Sequence, residues 1–165
     1  MKKTTDKNNN TVHTTQGTTQ DTTQDTKMII GNLETCNLPE LGIKNLEIRI
    51  DTGAQTSSLH VDNIKRHKEN GKPFLQFDIH PDIYNIDKLV TCNTPLHDIR
   101  RIKSSNGESQ ERYVIKTLIE LGTQSWPIQI TLTDRSDMSY LMLFGREGMS
   151  DKILVDPSKT FMLGS

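Results

Sequence analysis

Several large classes of protein are excluded by what this chain lacks. No segment approaches the roughly 20 consecutive apolar residues of a membrane-spanning helix. Lys2 and Lys3 mimic the start of a secretion signal, but no apolar run follows them. Lysine and arginine number 20 against 21 acids, a net charge of −1, which leaves no electrostatic footprint for nucleic acid. The two cysteines, Cys36 and Cys92, form no CxxC pair, so two reduced thiols in a cytoplasmic chain fit better than a disulfide framework. HExxH is absent, and His13, His60, His67, His80 and His97 are scattered, so no metal is expected. GxxxxGK[ST] is absent too, and Asn106-Gly107 with Gly122 makes no phosphate cradle. The expectation is a chain without a cofactor, in which any ATP dependence belongs to a partner.

Residues 1–27 are almost wholly Thr, Gln, Asn, Asp and Lys, with Thr-Thr-Gln-Asp repeated in succession. Such a segment has little to bury against the entropy cost of ordering, so a disordered tail is expected there. Met28 stands where ordered sequence begins and would serve as an alternative translation start. Residues 28–165 are long enough to bury about two-thirds of their unfolded surface in one core, and are read as one domain.

The chain is organised around Ile48-Arg49-Ile50-Asp51-Thr52-Gly53-Ala54-Gln55-Thr56-Ser57-Ser58-Leu59-His60. Leu46, Ile48 and Ile50 alternate with Glu47 and Arg49, which reads as a half-buried strand. The strand runs straight into an acid, a hydroxyl, a glycine and a small residue. Asp, Thr and Gly also make ordinary turns. Read chemically, the strand would fix the Asp51 carboxylate, the Thr52 hydroxyl would lock the loop, and Gly53 would leave room for close approach by a backbone. That order of residues is what an aspartic peptidase needs.

Around this stretch the pattern is of short strands. Ile29-Ile30-Gly31 and Leu38-Pro39-Glu40-Leu41-Gly42 read as an edge strand and a turn. Val61 to His67 reads as a short helical or irregular passage. Phe74 to His80 reads as a strand with Leu75, Phe77 and Ile79 on one face, and Lys88 to Cys92 as another strand. Ile99 to Ile115 reads as a hairpin turning at Asn106-Gly107, with arms polar enough to project over a cleft. Tyr113 to Leu121 and Ser125 to Leu132 pair around Gly122-Thr123-Gln124. Tyr140 to Phe144 is wholly apolar and suits a strand buried on both faces, while Ile153-Leu154-Val155 and Phe161-Met162-Leu163 read as closing strands. Regular short strands with little helical periodicity give an all-β barrel or sandwich.

Asp51-Thr52-Gly53-Ala54, taken with Leu141-Met142-Leu143-Phe144-Gly145-Arg146-Glu147 far downstream, resembles the retropepsins, the single-domain aspartic peptidases typified by retroviral proteases. The resemblance implies an acid-protease closed barrel with one short helix near the C-terminus and Asp51 as the catalytic residue. Thr52, Gly53, Ala54, Gly145 and Arg146 would support the catalytic loop, and a flap would form at Ser105, Asn106 and Gly107. A closer resemblance covers nearly the whole ordered region. It runs through Leu38-Pro39-Glu40-Leu41-Gly42-Ile43, Lys103-Ser104-Ser105-Asn106-Gly107, Arg112-Tyr113-Val114-Ile115, Thr131-Leu132-Thr133-Asp134-Arg135 and Val155-Asp156-Pro157. These segments look like a bacterial retropepsin-like family carrying the label ATP-dependent zinc protease. Members of that family often accompany ATP-grasp ligases that add glutamate to ribosomal protein tails, which implies a role in trimming or regulating such tails. One departure from the retroviral pattern is Gln55, where those enzymes place an acid to pair with the Gly-Arg arginine. Arg146 is therefore expected to find an Asp or Glu elsewhere. Arg112 and Arg135 are candidates for recognising an acidic substrate, with surface solubility as their alternative role.

One Asp-Thr-Gly per chain is half a catalytic centre. Aspartic proteolysis uses two carboxylates sharing a proton, one acting as base toward water while the other polarises the scissile carbonyl. The expectation is a C2 homodimer joining two Asp51 residues, acting on a peptide or protein at mildly acidic pH. Two other classes stay open. A non-catalytic regulatory partner of an ATP-grasp glutamate ligase would bind the ligase without turnover. A zinc-dependent peptidase would lose activity to a chelator.

Overall fold

The structure is a computed structural model that describes residues 26–164 apart from 83, 86, 104, 105 and 135–138. The tail expected over residues 1–27 lies outside the described residues up to residue 25. Among the described residues no helix is long and apolar enough to cross a membrane.

The regular structure among the described residues is almost all β. Six strands close a barrel: β2 (Leu33–Leu38), β3 (Ile43–Ile50), β4 (Ser57–His60), β9 (Ser109–Leu121), β10 (Gln124–Thr133) and β11 (Met142–Phe144). The order around the barrel is β10-β4-β11-β3-β2-β9, and β9 pairs back onto β10. The inward positions are those the alternation marks: Leu46 and Ile48 of β3, Ile115 and Ile119 of β9, Ile128 and Ile130 of β10, and Met142 and Phe144 of β11, all at most 1% exposed. Burying each such side chain contributes about 1.5–3 kcal/mol. One helical turn, α1 (Arg146–Met149), follows β11 near the C-terminus. Trp126 lies over this turn and donates from Nε1 to the Gly148 carbonyl at 2.7 Å.

A second sheet packs on the barrel from β5 (Asp62–Glu69), β6 (Lys72–Ile79) and β7 (Val90–Pro95). Leu75, Phe77 and Ile79 face inward as the alternation requires. The strand expected at Lys88 to Cys92 begins two residues later and runs to Pro95. Val61 to His67 is not helical or irregular but forms most of β5, paired antiparallel to β6. The turn joining them is Asn70-Gly71, with φ of 50° and 78°, a two-residue connection between Glu69 and Lys72 that matches strand twist. β5 borders the sheet with Lys65, Arg66 and Lys68 in solvent, so it lacks the apolar alternation that marks a strand.

The hairpin expected between Ile99 and Ile115 is β8 (Asp98–Lys103) paired with the first half of β9. Its five-residue connection includes Gly107 at φ 86°, with the Glu108 amide donating to Asn106 Oδ1 at 3.3 Å. The β9–β10 pair turns at Gly122-Thr123, with Leu121 opposite Gln124.

The two ends of the domain are stitched together. β1 (Met28–Ile30) pairs in parallel with β12 (Ile153–Val155). Phe161-Met162-Leu163 is a turn rather than a strand, because its amides are drawn to acceptors on β2. Phe161 donates to the Leu33 carbonyl at 2.8 Å, while Met162 and Leu163 donate to the Glu34 carboxylate at 2.9 and 3.4 Å. Glu34 is fully buried and also accepts from the Gly31 amide at 2.8 Å. A buried carboxylate is tolerated when donors replace its water, as these three amides do. Gly31 has no room for a side chain: a Cβ there would lie 2.4 Å from the Lys159 carbonyl oxygen.

Two outcomes follow for stability and reactivity. Glu34→Ala strands three amides and should lower unfolding free energy by about 3 kcal/mol in urea titration, with the turn at 161–163 becoming protease-sensitive. Burial pushes the Cys36 thiol up to about 12 and the Cys92 thiol, beside Asp78, up to about 11. Neither thiol should react with iodoacetamide at pH 8 until the protein is unfolded, as mass spectrometry would show.

Candidate active site

The loop from Asp51 to Thr56 joins β3 to β4, and β11 lies between those two strands. β11 runs parallel to β3, with Phe144 opposite Ile50, and antiparallel to β4, with Met142 opposite Leu59. The Asp51 amide continues the ladder by donating to the Phe144 carbonyl at 2.9 Å. The acid is thus fixed at the backbone by the same strand that carries Gly145-Arg146. Its Oδ1 accepts from the Gly53 amide at 3.0 Å, and a Cβ on Gly53 would sit 3.3 Å from that oxygen. Asp51 is half-buried, while Thr52 and Gly53 are exposed.

The turn after β11 holds the far side of the loop. The Arg146 amide donates to the Ala54 carbonyl and the Glu147 amide to the Gln55 carbonyl, each at 2.9 Å. The Arg146 guanidinium reaches the Thr52 carbonyl at 2.9 Å and Gln55 Oε1 at 3.0 Å. This corrects one expectation. No Asp or Glu among the described residues pairs with Arg146: Gln55 itself accepts from it, as a neutral amide oxygen can. The loop is held through the Thr52 carbonyl. Gly145 has ordinary extended dihedrals, so its requirement is space: a Cβ would meet the Thr56 carbonyl carbon at 2.7 Å and the Ser57 nitrogen at 2.9 Å.

Two recesses border the Asp51–Thr56 loop and share Leu143, and Asp51 lines the first of them. One, of about 460 Å³, is lined by Arg49, Ile50, Asp51, Thr52, Ser139, Tyr140 and Leu143. The other, of about 310 Å³, lies between the loop and the root of the β8–β9 hairpin, with Gln55, Thr56, Arg100, Ile102 and Arg112 in its wall. Asp51 is the only carboxylate among the described residues lining either recess. Arg112 lines the second recess. Asn106 and Gly107 lie exposed in the hairpin connection, while Ser105 and Arg135 fall outside the described residues. Arg100 is the residue that sequence reasoning missed. A signal for it existed, since it stands opposite Arg112 across the hairpin.

Among the described residues no group of three His, Cys, Asp or Glu side chains is placed to hold a metal ion. His60 and His80 each bring Nε2 to 3.8 Å from an oxygen of Asp62. The donor set among the described residues does not fit the zinc implied by the family resemblance.

A closed barrel with an Asp-Thr-Gly-Ala loop braced by an apolar-Gly-Arg strand defines the retropepsin-like class of aspartic peptidase fold. Residues 29–164 match the family model of the retropepsin-like aspartic endopeptidase RimB, and the chain belongs to this RimB-like family. It is 50% identical over 139 residues to a probable alpha-L-glutamate ligase of Shewanella pealeana and 41% identical over 138 residues to one of Desulfotalea psychrophila. In each case 84% of this chain aligns, but it spans only 30% of the relative's length. A crystal structure of a Legionella pneumophila protein of unknown function superposes with a TM-score of 0.70 at 28% identity, covering 84% of this chain and 99% of that one.

Gly145→Ala should destabilise the protein by about 2–3 kcal/mol in denaturant titration, because the methyl group meets loop backbone that has nowhere to move. Arg146→Met should leave the barrel folded while amides 52–56 exchange faster with deuterium.

Proposed function

We propose that this chain is an aspartic amide hydrolase that works as a homodimer, two Asp51 carboxylates meeting to activate one water. The observation that carries this reading is that Asp51 stands alone in its cleft among the described residues, at the tip of a rigid loop whose Thr52 and Gly53 face solvent. A lone carboxylate cannot serve as both base and acid, so a second copy would supply the other. The association would bury more than about 1,000 Å² if it lasts. The proposed substrate is a glutamate-extended protein tail. Arg112, in the wall of the neighbouring recess, suits a carboxylate side chain. Relatives bearing the name probable alpha-L-glutamate ligase support the same substrate, since a domain carried with a ligase is well placed to act on the ligase's product.

Asp51→Asn should lower cleavage of a peptide ending in oligo-α-glutamate by about a thousandfold or more while thermal unfolding stays within a few degrees. Mixing a tagged Asp51→Asn chain in excess with wild type should suppress activity through mixed dimers. Wild-type turnover by a species that sediments as a monomer would overturn the shared-site reading.

The same relatives also favour a second reading, a non-catalytic partner that regulates a glutamate ligase. In that case a ligase would be retained on immobilised Asp51→Asn chain, and wild type would cleave no oligoglutamate peptide.

A further inference from the structure

Consecutive arginines on β8 meet opposite fates. Strand alternation turns Arg101 outward, where its side chain is 70% exposed and pairs at 3.3 Å with Glu111 on the surface. Arg100 turns toward the cleft and is held by three acceptors from three parts of the chain. Its Nε donates to Asp98 Oδ2 at 3.3 Å, its Nη1 to Thr56 Oγ1 at 3.1 Å, and its Nη2 to Gln129 Oε1. Thr56 belongs to the loop that begins at Asp51. Gln129 leads to the same loop by a second route: its amide donates to Glu147 Oε2 at 3.0 Å, and the Glu147 amide donates to the Gln55 carbonyl at 2.9 Å. One guanidinium therefore ties the hairpin root to the catalytic loop directly at Thr56 and indirectly at Gln55.

This arrangement sets a repulsion against the Asp98 ion pair and two neutral acceptors. Arg100 sits directly across from Arg112, and like charges at opposed positions destabilise a strand pair. A planar fork with five N–H donors can span three acceptors at fixed angles, which a lysine ammonium cannot reproduce.

We propose that Arg100 is a positioning residue that holds the root of the β8–β9 hairpin in register with the Asp51 loop and thereby sets the geometry at the carboxylate. This rests on the hydrolase reading for its kinetic consequence but not for its structural one. Misplacing a reacting group by a fraction of an ångström slows chemistry more than it weakens binding.

The test uses the full chain and an oligo-α-glutamate peptide. Arg100→Met and Arg100→Lys should each lower kcat about tenfold or more with KM within threefold. Amides 51–57 should exchange faster with deuterium in both. Thr56→Val should reproduce part of the loss, and the Arg100→Met/Thr56→Val double variant should be no worse than Arg100→Met alone. Arg101→Met should change none of these. A KM raised tenfold or more with kcat and loop exchange unchanged would make Arg100 a direct substrate ligand and overturn the proposal, as would additive losses in the double variant. Hydrogen exchange needs no turnover. If Asp51→Asn is as active as wild type, the hydrolase reading falls, while loop exchange in Arg100→Met still decides the coupling.

Discussion

The structure depends on one insertion: a three-residue strand seated between the two stems of the Asp51 loop. β11 makes its backbone bonds to β3 on one side and β4 on the other, so the loop's ends cannot move independently. The residues that follow then close on the loop from behind, through the amides of Arg146 and Glu147 and the Arg146 guanidinium. Gly145 permits this approach by having no side chain where Thr56 passes. An acid held this way is already in place, which is the condition under which a preset dipole or charge is most effective. The same bracing leaves the loop tip in solvent.

Most of the strands were legible because their signals are local and periodic. Leu46-Ile48-Ile50 and Leu75-Phe77-Ile79 each alternate with polar residues, and each face points where alternation sends it. Gly122-Thr123 gave the β9–β10 turn for the same local reason. β5 was misread because an edge strand carries charge in place of apolar alternation, although Asn70-Gly71 three residues past His67 announces its hairpin. Phe161-Met162-Leu163 has the composition of a strand, yet the buried Glu34 carboxylate recruits its amides. Glu34 lies more than 120 positions away, and no window of sequence contains both.

The site divides in the same way. Asp51 and its support at Gly145-Arg146 are contiguous motifs and could be read directly. The partner of Arg146 could not be, since the neutral Gln55 does what a charge was expected to do. Arg100 illustrates a different limit. Its neighbour Arg101 looks identical in sequence, and only strand register separates a cleft residue from a surface one. Two arginines facing each other across a hairpin are visible once the turn is placed, and their proximity is costly enough to ask what offsets it.

Parallel pairing of β1 with β12 brings the first and last strands of the domain side by side, and Met28 and Leu163 both lie against Gly122. Entry and exit of the polypeptide therefore share one corner of the barrel. A module with such a doorway can be grafted onto, or spliced into, a longer polypeptide without prising apart its interior. That architecture suits a unit whose relatives carry it as under a third of a larger protein.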